Sequence, residues 1–200
     1  VSIPSIVNKV SFRYHATMKT QGLHDLLACL SRVLQSEQRR LAVAAGLPAV
    51  QWTILHYLRQ ANRYSNTPLA LGEYLGLTKG TVSQSLKRLE ERGWVRRQAD
   101  PRDGRVVRLT LTRTGLAQVD DNIDVEWRNA AASLPTAQRV AAEAALKQLL
   151  GEWQHSRGYR SFGVCNSCRH FFSGTDSHTC GLTGEALSAD DSLRICREHA

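Results

Sequence analysis

The stretch from Thr78 to Thr112, TKGTVSQSLKRLEERGWVRRQADPRDGRVVRLTLT, constrains the fold more than any other part of the chain. Thr78 is suited to cap a helix, because its hydroxyl can accept a free backbone N–H of the first turn. Val82, Leu86 and Leu89 follow at spacings of four and three, so they share one helix face. Lys79, Thr81, Ser83, Gln84, Lys87 and Arg88 fall on other faces, and they are residue types that reach base edges or phosphates. Gly93 stands where the helix should end, since glycine takes the left-handed conformation cheaply. Trp94-Val95 opens a strand, Asp100-Pro101 and Asp103-Gly104 are turn dipeptides, and Val106 to Thr112 alternates as a returning strand.

A helix followed by an arginine-tipped hairpin is the layout of a winged helix-turn-helix. The rest of the chain predicts helices around it. Leu23, Leu26, Leu27, Leu30, Val33, Leu34 and Leu41 recur at helical spacing and predict a long amphipathic helix, ended by Gly46-Leu47-Pro48. A second helix is expected from about Ala49 to Asn62, with Trp52, Leu55 and Leu58 as its stripe. Leu69 to Leu75 reads as the first helix of the helix-turn-helix, and Gly76-Leu77 as its turn. Beyond the wing, Leu116, Val119, Ile123 and Trp127 mark another helix. A last one runs from about Ala137 to Gln154, with Val140, Leu146, Leu149, Leu150 and Trp153 available for burial. These stripes are too apolar to be left in water, and packing against a second copy is the simplest sink for them. The expected class is therefore mainly α, with a small β-hairpin wing, a helical dimerisation region and a short C-terminal module stapled by metal.

Charge supports a polyanion partner. The formal net charge is +8, and residues 79–108 alone hold nine Lys/Arg against four Asp/Glu. Scattered charges ordinarily line a solvated face; here the cluster coincides with an independent helix-turn-helix pattern. The recognition helix should lie in the major groove, with Thr81, Ser83, Gln84 and Arg88 reading bases and Lys79 and Lys87 holding phosphate. Arg102 and Arg105 would enter a narrowed minor groove or hold backbone phosphates. A homodimer would then face a pseudo-palindromic operator with half-sites about one turn apart.

The run TVSQSLKRLEERGWVRR and the wing ADPRDGRVVRLTLTRTG resemble the MarR family of bacterial transcription regulators, over about Leu23 to Trp153. The wing looks like the family's Asp-x-Arg-Asp-x-Arg element. By that resemblance Arg105 is the arginine that enters the minor groove and Asp103 the acid that steadies it. The resemblance also implies that the first helix joins the C-terminal helices to build the dimer, and that a small-molecule effector acts between the dimer and DNA-binding lobes. Some members sense peroxides through a cysteine, but nothing beside Cys29 marks it as reactive, and a buried structural thiol is expected there.

Both ends exceed a minimal member. Val1 to Gln21 is polar and aperiodic and is expected to be weakly ordered. Met18 is the chain's one methionine, so the natural start is either Val1 or Met18. Residues 22–156 would form the winged-helix domain, with a DNA-binding lobe over about 49–112, and 157–200 a separate cysteine-rich tail. That tail holds Cys165, Cys168, Cys180 and Cys196, spaced C-x2-C-x11-C-x15-C. It has too little apolar mass to fold unaided, which makes a metal staple the expected remedy. Structural zinc comes first and an iron–sulfur cluster second, with unligated thiols as the plain alternative. His178 and His199 are spare ligands, and Phe162, Phe171 and Phe172 would shield the site.

No run of 18 apolar residues suggests a membrane span, and the cysteine usage suits a reducing cytoplasm. The rival classes are a metal-dependent enzyme and a protein–protein adaptor, each using the cysteine module. Against an enzyme, the chain has no glycine-rich phosphate loop, nucleophile elbow or His-Glu-x-x-His run.

Overall fold

The computed structural model describes residues 20–119, 122–174 and 177–200. The segment before Thr20, where the polar N-terminal extension was expected, lies outside them. The chain forms two compact units, Val1–Glu37 and Gln38–Ala200. Helix α1 (Thr20–Ala44) supplies the described part of the first unit and begins the second. In the second unit follow α2 (Ala49–Gln60), α3 (Pro68–Leu75), α4 (Lys79–Glu91), the hairpin β1 (Val95–Ala99) and β2 (Val107–Leu111), and then α5 (Arg113–Leu116), α6 (Asn122–Ala132) and α7 (Thr136–Ser156).

Capping explains the start of each element that matters here. Thr67 accepts the Ala70 N–H, with Pro68 at the first helical position, which sets the start of α3. Thr78 accepts the Thr81 N–H at the head of α4. The left-handed Gly76 ends α3 and turns the chain into α4. Gly93, also left-handed, sits one residue past the Arg92 cap and feeds the chain into β1. In the hairpin Val95 pairs with Leu111 and Ala99 with Val107.

The core of this lobe joins Trp52, Ile54, Leu55 and Leu58 of α2 to Leu71 of α3, Val82, Leu86 and Leu89 of α4, and Val95 and Leu109 of the hairpin. Each buried aliphatic side chain contributes about 1.5–3 kcal/mol against exposure, so this cluster is what fixes α4 to the wing. Gly115 in α5 allows a close approach that nothing else would. A Cβ there would run into the Trp94 carbonyl. Thr112 and Thr114 tie the same spot by donating to the Gly93 carbonyl, at 2.6 and 3.0 Å.

Two helical regions carry apolar residues without burying them. On α1, Leu23, Leu26 and Val33 are exposed. On α6 and α7, Trp127, Val140, Leu146, Leu149, Leu150 and Trp153 are exposed, and α7 has no buried residue. The Ile123 side chain lies outside the described residues. Cys29 is also exposed, so the expectation of a buried thiol is corrected for the single chain.

The tail, for which the sequence predicted a compact cysteine module but no individual elements, is ordered into short strands. β3 (Gly163–Val164) pairs with β7 (Ile195–Cys196), and β4 (Phe171–Ser173), β5 (His178–Cys180) and β6 (Ala186–Leu187) form an antiparallel sheet. A 3-10 turn at Cys165–Ser167 and the short α8 (Ala189–Ser192) complete it. Elements of two or three residues show no periodicity in a sequence, which is why they were missed. No single described helix is long and apolar enough to cross a membrane.

Candidate nucleic-acid interface

Helix α4 divides cleanly. Val82, Ser85, Leu86 and Leu89 are buried, whereas Lys79, Thr81, Ser83, Gln84, Lys87 and Arg88 are all exposed. The apolar stripe turns inward, so the helix presents the other side to solvent. The exposed face is lightly engaged. Thr81 shares a 2.9 Å hydroxyl contact with Thr78, the Ser83 carbonyl accepts from Arg97 at 3.4 Å, and Lys87 stands 4.0 Å from Glu91. Pairs of this kind are weak enough to yield to a phosphate.

The wing tip is organised by a residue the sequence reading passed over. Asp100 accepts the backbone N–H of Arg102 at 2.8 Å and of Asp103 at 3.2 Å through one oxygen, and Arg108 Nε at 2.6 Å through the other. The Arg102 N–H foremost, then the Arg108 side chain, holds its carboxyl below the usual range. The turn dipeptide Asp100-Pro101 was the available signal, since aspartate at such a turn bonds its own backbone. Arg108 also reaches Asn66 at 3.3 Å and donates to the Arg63 carbonyl, which fastens the hairpin to the α2–α3 loop. On this frame the Arg105 side chain is 95% exposed and stands 3.5 Å from Asp103. Arg102 is placed differently. It is ion-paired with Glu185, more than eighty residues away in the tail.

The tail docks on this lobe at several points. The Asn62 N–H donates to the Ile195 carbonyl at 2.9 Å, and the Arg197 N–H donates to Ser65 Oγ at 2.8 Å. The Arg197 guanidinium forks onto Glu73 of α3, with contacts of 2.5 and 2.9 Å. Tyr64 donates to Glu185 at 2.6 Å, and Arg63 lies 3.8 Å from Asp191. Phe162 meets Tyr74 of α3 edge-on at 5.1 Å rather than covering the cysteines, and Phe172 is exposed. Of the three expected shields only Phe171 packs beside the thiols.

Three of the four tail cysteines pack in one small core, and the fourth is bonded to it. Cys165 and Cys196 are buried with Leu187, and Cys180 packs against them. Cys168 joins through its N–H, which donates to the Cys165 carbonyl at 3.1 Å. The Cys168 sulfur accepts the N–H groups of His170 at 3.5 Å and Ala200 at 3.4 Å. Burial pushes Cys180 up, but bonds from the Thr183 hydroxyl and from the Thr183 and Leu182 N–H groups bring it below its ordinary value. Burial, and then the other three thiols, push Cys165 up to about 11. Burial also raises Cys196, against the N–H of Glu198 and the Asn62 amide. That amide stands beside the sulfur without closing a bond, since Asn62 Nδ2 is buried and has no partner. As placed, no three His, Cys, Asp or Glu side chains among the described residues form a set able to hold a metal. His199 bonds Ser167 at 3.0 Å and His178 lies 3.4 Å from Ser173, so neither spare histidine is turned to the thiols.

This winged-helix arrangement defines the class, and comparison with known proteins agrees. Residues 45–106 match the MarR family. YwoH of Bacillus subtilis, described as an uncharacterised HTH-type transcriptional regulator, is 39% identical over 66 residues, or 32% of this chain and 47% of that one. The chain thus spans about half the length of this curated relative. Among solved structures, S. aureus MepR in its DNA-binding conformation superposes with a TM-score of 0.59 at 21% identity, covering 66% of this chain and 98% of MepR. A MarR transcriptional regulator from Methanosarcina mazei Go1 superposes at 0.55 with 24% identity, covering 68% and 98%. At these identities the likeness shows the winged-helix fold.

Proposed function

We propose that this protein is a sequence-specific DNA-binding transcriptional regulator, not an enzyme, and that it works in the cytoplasm as a homodimeric repressor on a pseudo-palindromic operator. The observation that carries the reading is the division of α4. Its apolar stripe is locked into the lobe core while Lys79, Thr81, Ser83, Gln84, Lys87 and Arg88 face outward, next to a wing that extends Arg105. A helix end with exposed base-reading side chains beside an arginine tip suits one major groove and its flanking minor groove. The same fold occurs in an S. aureus MepR–DNA complex, at a TM-score of 0.53, 22% identity, and coverage of 64% of this chain and 96% of that one.

The dimer is supported by the apolar faces left open on α1, α6 and α7, for which a second copy is the natural cover. Regulation then becomes a population shift. A signal alters the spacing of two recognition helices, and one spacing fits successive major grooves. The signal is a small molecule or the state of a zinc or iron–sulfur site in the cysteine segment. Selection of bound sequences from a random duplex library, with sedimentation of the complex, tests the reading. Two half-sites about one helical turn apart, held by two protomers, are expected. A monomer at micromolar concentration, or recovery of no sequence, would refute it.

A further inference from the structure

Resting on that DNA-binding reading, we infer that Cys165, Cys168, Cys180 and Cys196 bind one four-thiolate metal centre, and that the loaded centre holds Glu185 on wing Arg102, so that metal and DNA oppose each other there. Three observations carry the metal. Cys165, Cys180 and Cys196 pack in one small core whose one buried aliphatic residue is Leu187, and Cys168 is tied to it through the Cys165 carbonyl. The Cys168 sulfur accepts the backbone N–H groups of His170 and Ala200, which suits sulfur as an anion, since a thiol is a weak acceptor and a thiolate a strong one. The third is Asn62. It is 1% exposed, its oxygen is occupied by the Tyr64 N–H and the Ser65 hydroxyl, and its Nδ2 is buried beside Cys196 with no partner. A buried donor left idle against a thiol acquires a partner once that sulfur becomes a metal-bound thiolate. Binding would draw the sulfurs into a tetrahedral shell at about 2.3 Å, a closure of short loops beyond their present placement.

Two of the ligands sit on the elements that grip the lobe. Cys180 and Glu185 close one turn, with the Cys180 N–H donating to the Glu185 carbonyl at 2.9 Å and the Gly184 N–H to the Cys180 carbonyl at 2.7 Å. The carboxylate of Glu185 takes the Tyr64 hydroxyl and pairs with Arg102. Cys196 lies between Ile195 and Arg197, which bond Asn62 and Ser65. A metal that fixes Cys180 and Cys196 therefore fixes Glu185 over the wing. A Glu185 held in place competes with phosphate for Arg102, whose side chain is 75% exposed; set free, that arginine adds up to about one phosphate contact per protomer.

The test uses the full chain, purified without oxygen and kept reduced, loaded with zinc alone or with ferrous iron and sulfide, and compared with chelator-treated protein. Metal analysis and an absorption spectrum come first. About one zinc per chain, or visible cluster bands, is expected, and either is lost in Cys165→Ser/Cys168→Ser. Affinity for a mixed-sequence duplex is then measured across a salt series. The metal-free protein should show a salt slope steeper by about one per protomer than the loaded protein. Glu185→Gln, which leaves every thiol in place, should show the steep slope in both states. Protein that binds DNA but retains neither metal overturns the centre, and a retained metal with identical slopes overturns its link to the wing. Absence of DNA binding in every state overturns the regulator reading beneath both.

Discussion

The winged-helix lobe and the cysteine-rich segment are both held in place, and they are held by opposite means. The lobe surrounds α4 and the hairpin with a continuous apolar cluster drawn from α1, α2, α3, α4 and both strands. Among its described residues the segment buries only Cys165, Leu187, Ser192 and Cys196, and it is fixed by hydrogen bonds and ion pairs to the lobe beside it. A core of the first kind is non-directional and tolerates a missing polar contact. A clasp of the second kind is directional, and it responds to charge, protonation and ligation.

The contrast breaks most sharply in the lobe core. Leu86→Ala removes a side chain that is 1% exposed at the centre of α4's packing. It should cost about 2–5 kcal/mol in a urea titration of the whole chain. Gly115→Ala should cost about 1–3 kcal/mol, because the new methyl meets the Trp94 carbonyl and the α5–hairpin junction must move. A near-neutral result for both would mean that the lobe is not held by close packing.

At the interface itself, Arg105→Ala should weaken duplex binding about tenfold at fixed salt, close to 1.4 kcal/mol, and reduce the salt slope by about one. Arg102→Ala in the loaded protein should do much less, since Glu185 already occupies that side chain. Equal losses for the two arginines in a fluorescence-anisotropy titration would erase the distinction between the free and the clasped side of the wing.

What could be read from the residues follows the same divide. The stripe Val82, Leu86, Leu89 at helical spacing, the Thr78 cap and the turn dipeptides of the wing are local signals, and the structure places all of them where those signals point. Gly93 stands one residue past the cap, because α4 runs to Glu91, Arg92 caps it and the left-handed glycine follows. The clasp was not legible. Glu185 and Arg102, or Arg197 and Glu73, are far apart in the chain, and no periodicity links them. The strands of the tail are too short to alternate. Cys29 was misjudged because burial on an amphipathic helix depends on whatever covers that helix, which one chain does not contain.

The smallest expected effect is also the most specific to the clasp. Arg197 forks onto Glu73, and this bond, more than any other influence, lowers the carboxyl of Glu73 below its ordinary value. A lowered carboxyl stabilises the folded state fully above the unfolded value of about 4.3, and that contribution disappears as pH falls through the folded value. Partly exposed pairs are worth about 1 kcal/mol or less, so the change will be modest. At neutral pH the Glu73→Gln variant should unfold at slightly lower urea than the parent. As pH falls below the unfolded value the two midpoints should draw together, and they should meet once the parent's lowered carboxyl is protonated in the folded state as well. The lobe core contains no such group, so Leu86→Ala should keep its deficit at both pH values. A Glu73→Gln deficit that also persisted unchanged into acid would mean that the tail is held by its apolar contacts, such as Phe162 on Tyr74, and not by this ion pair.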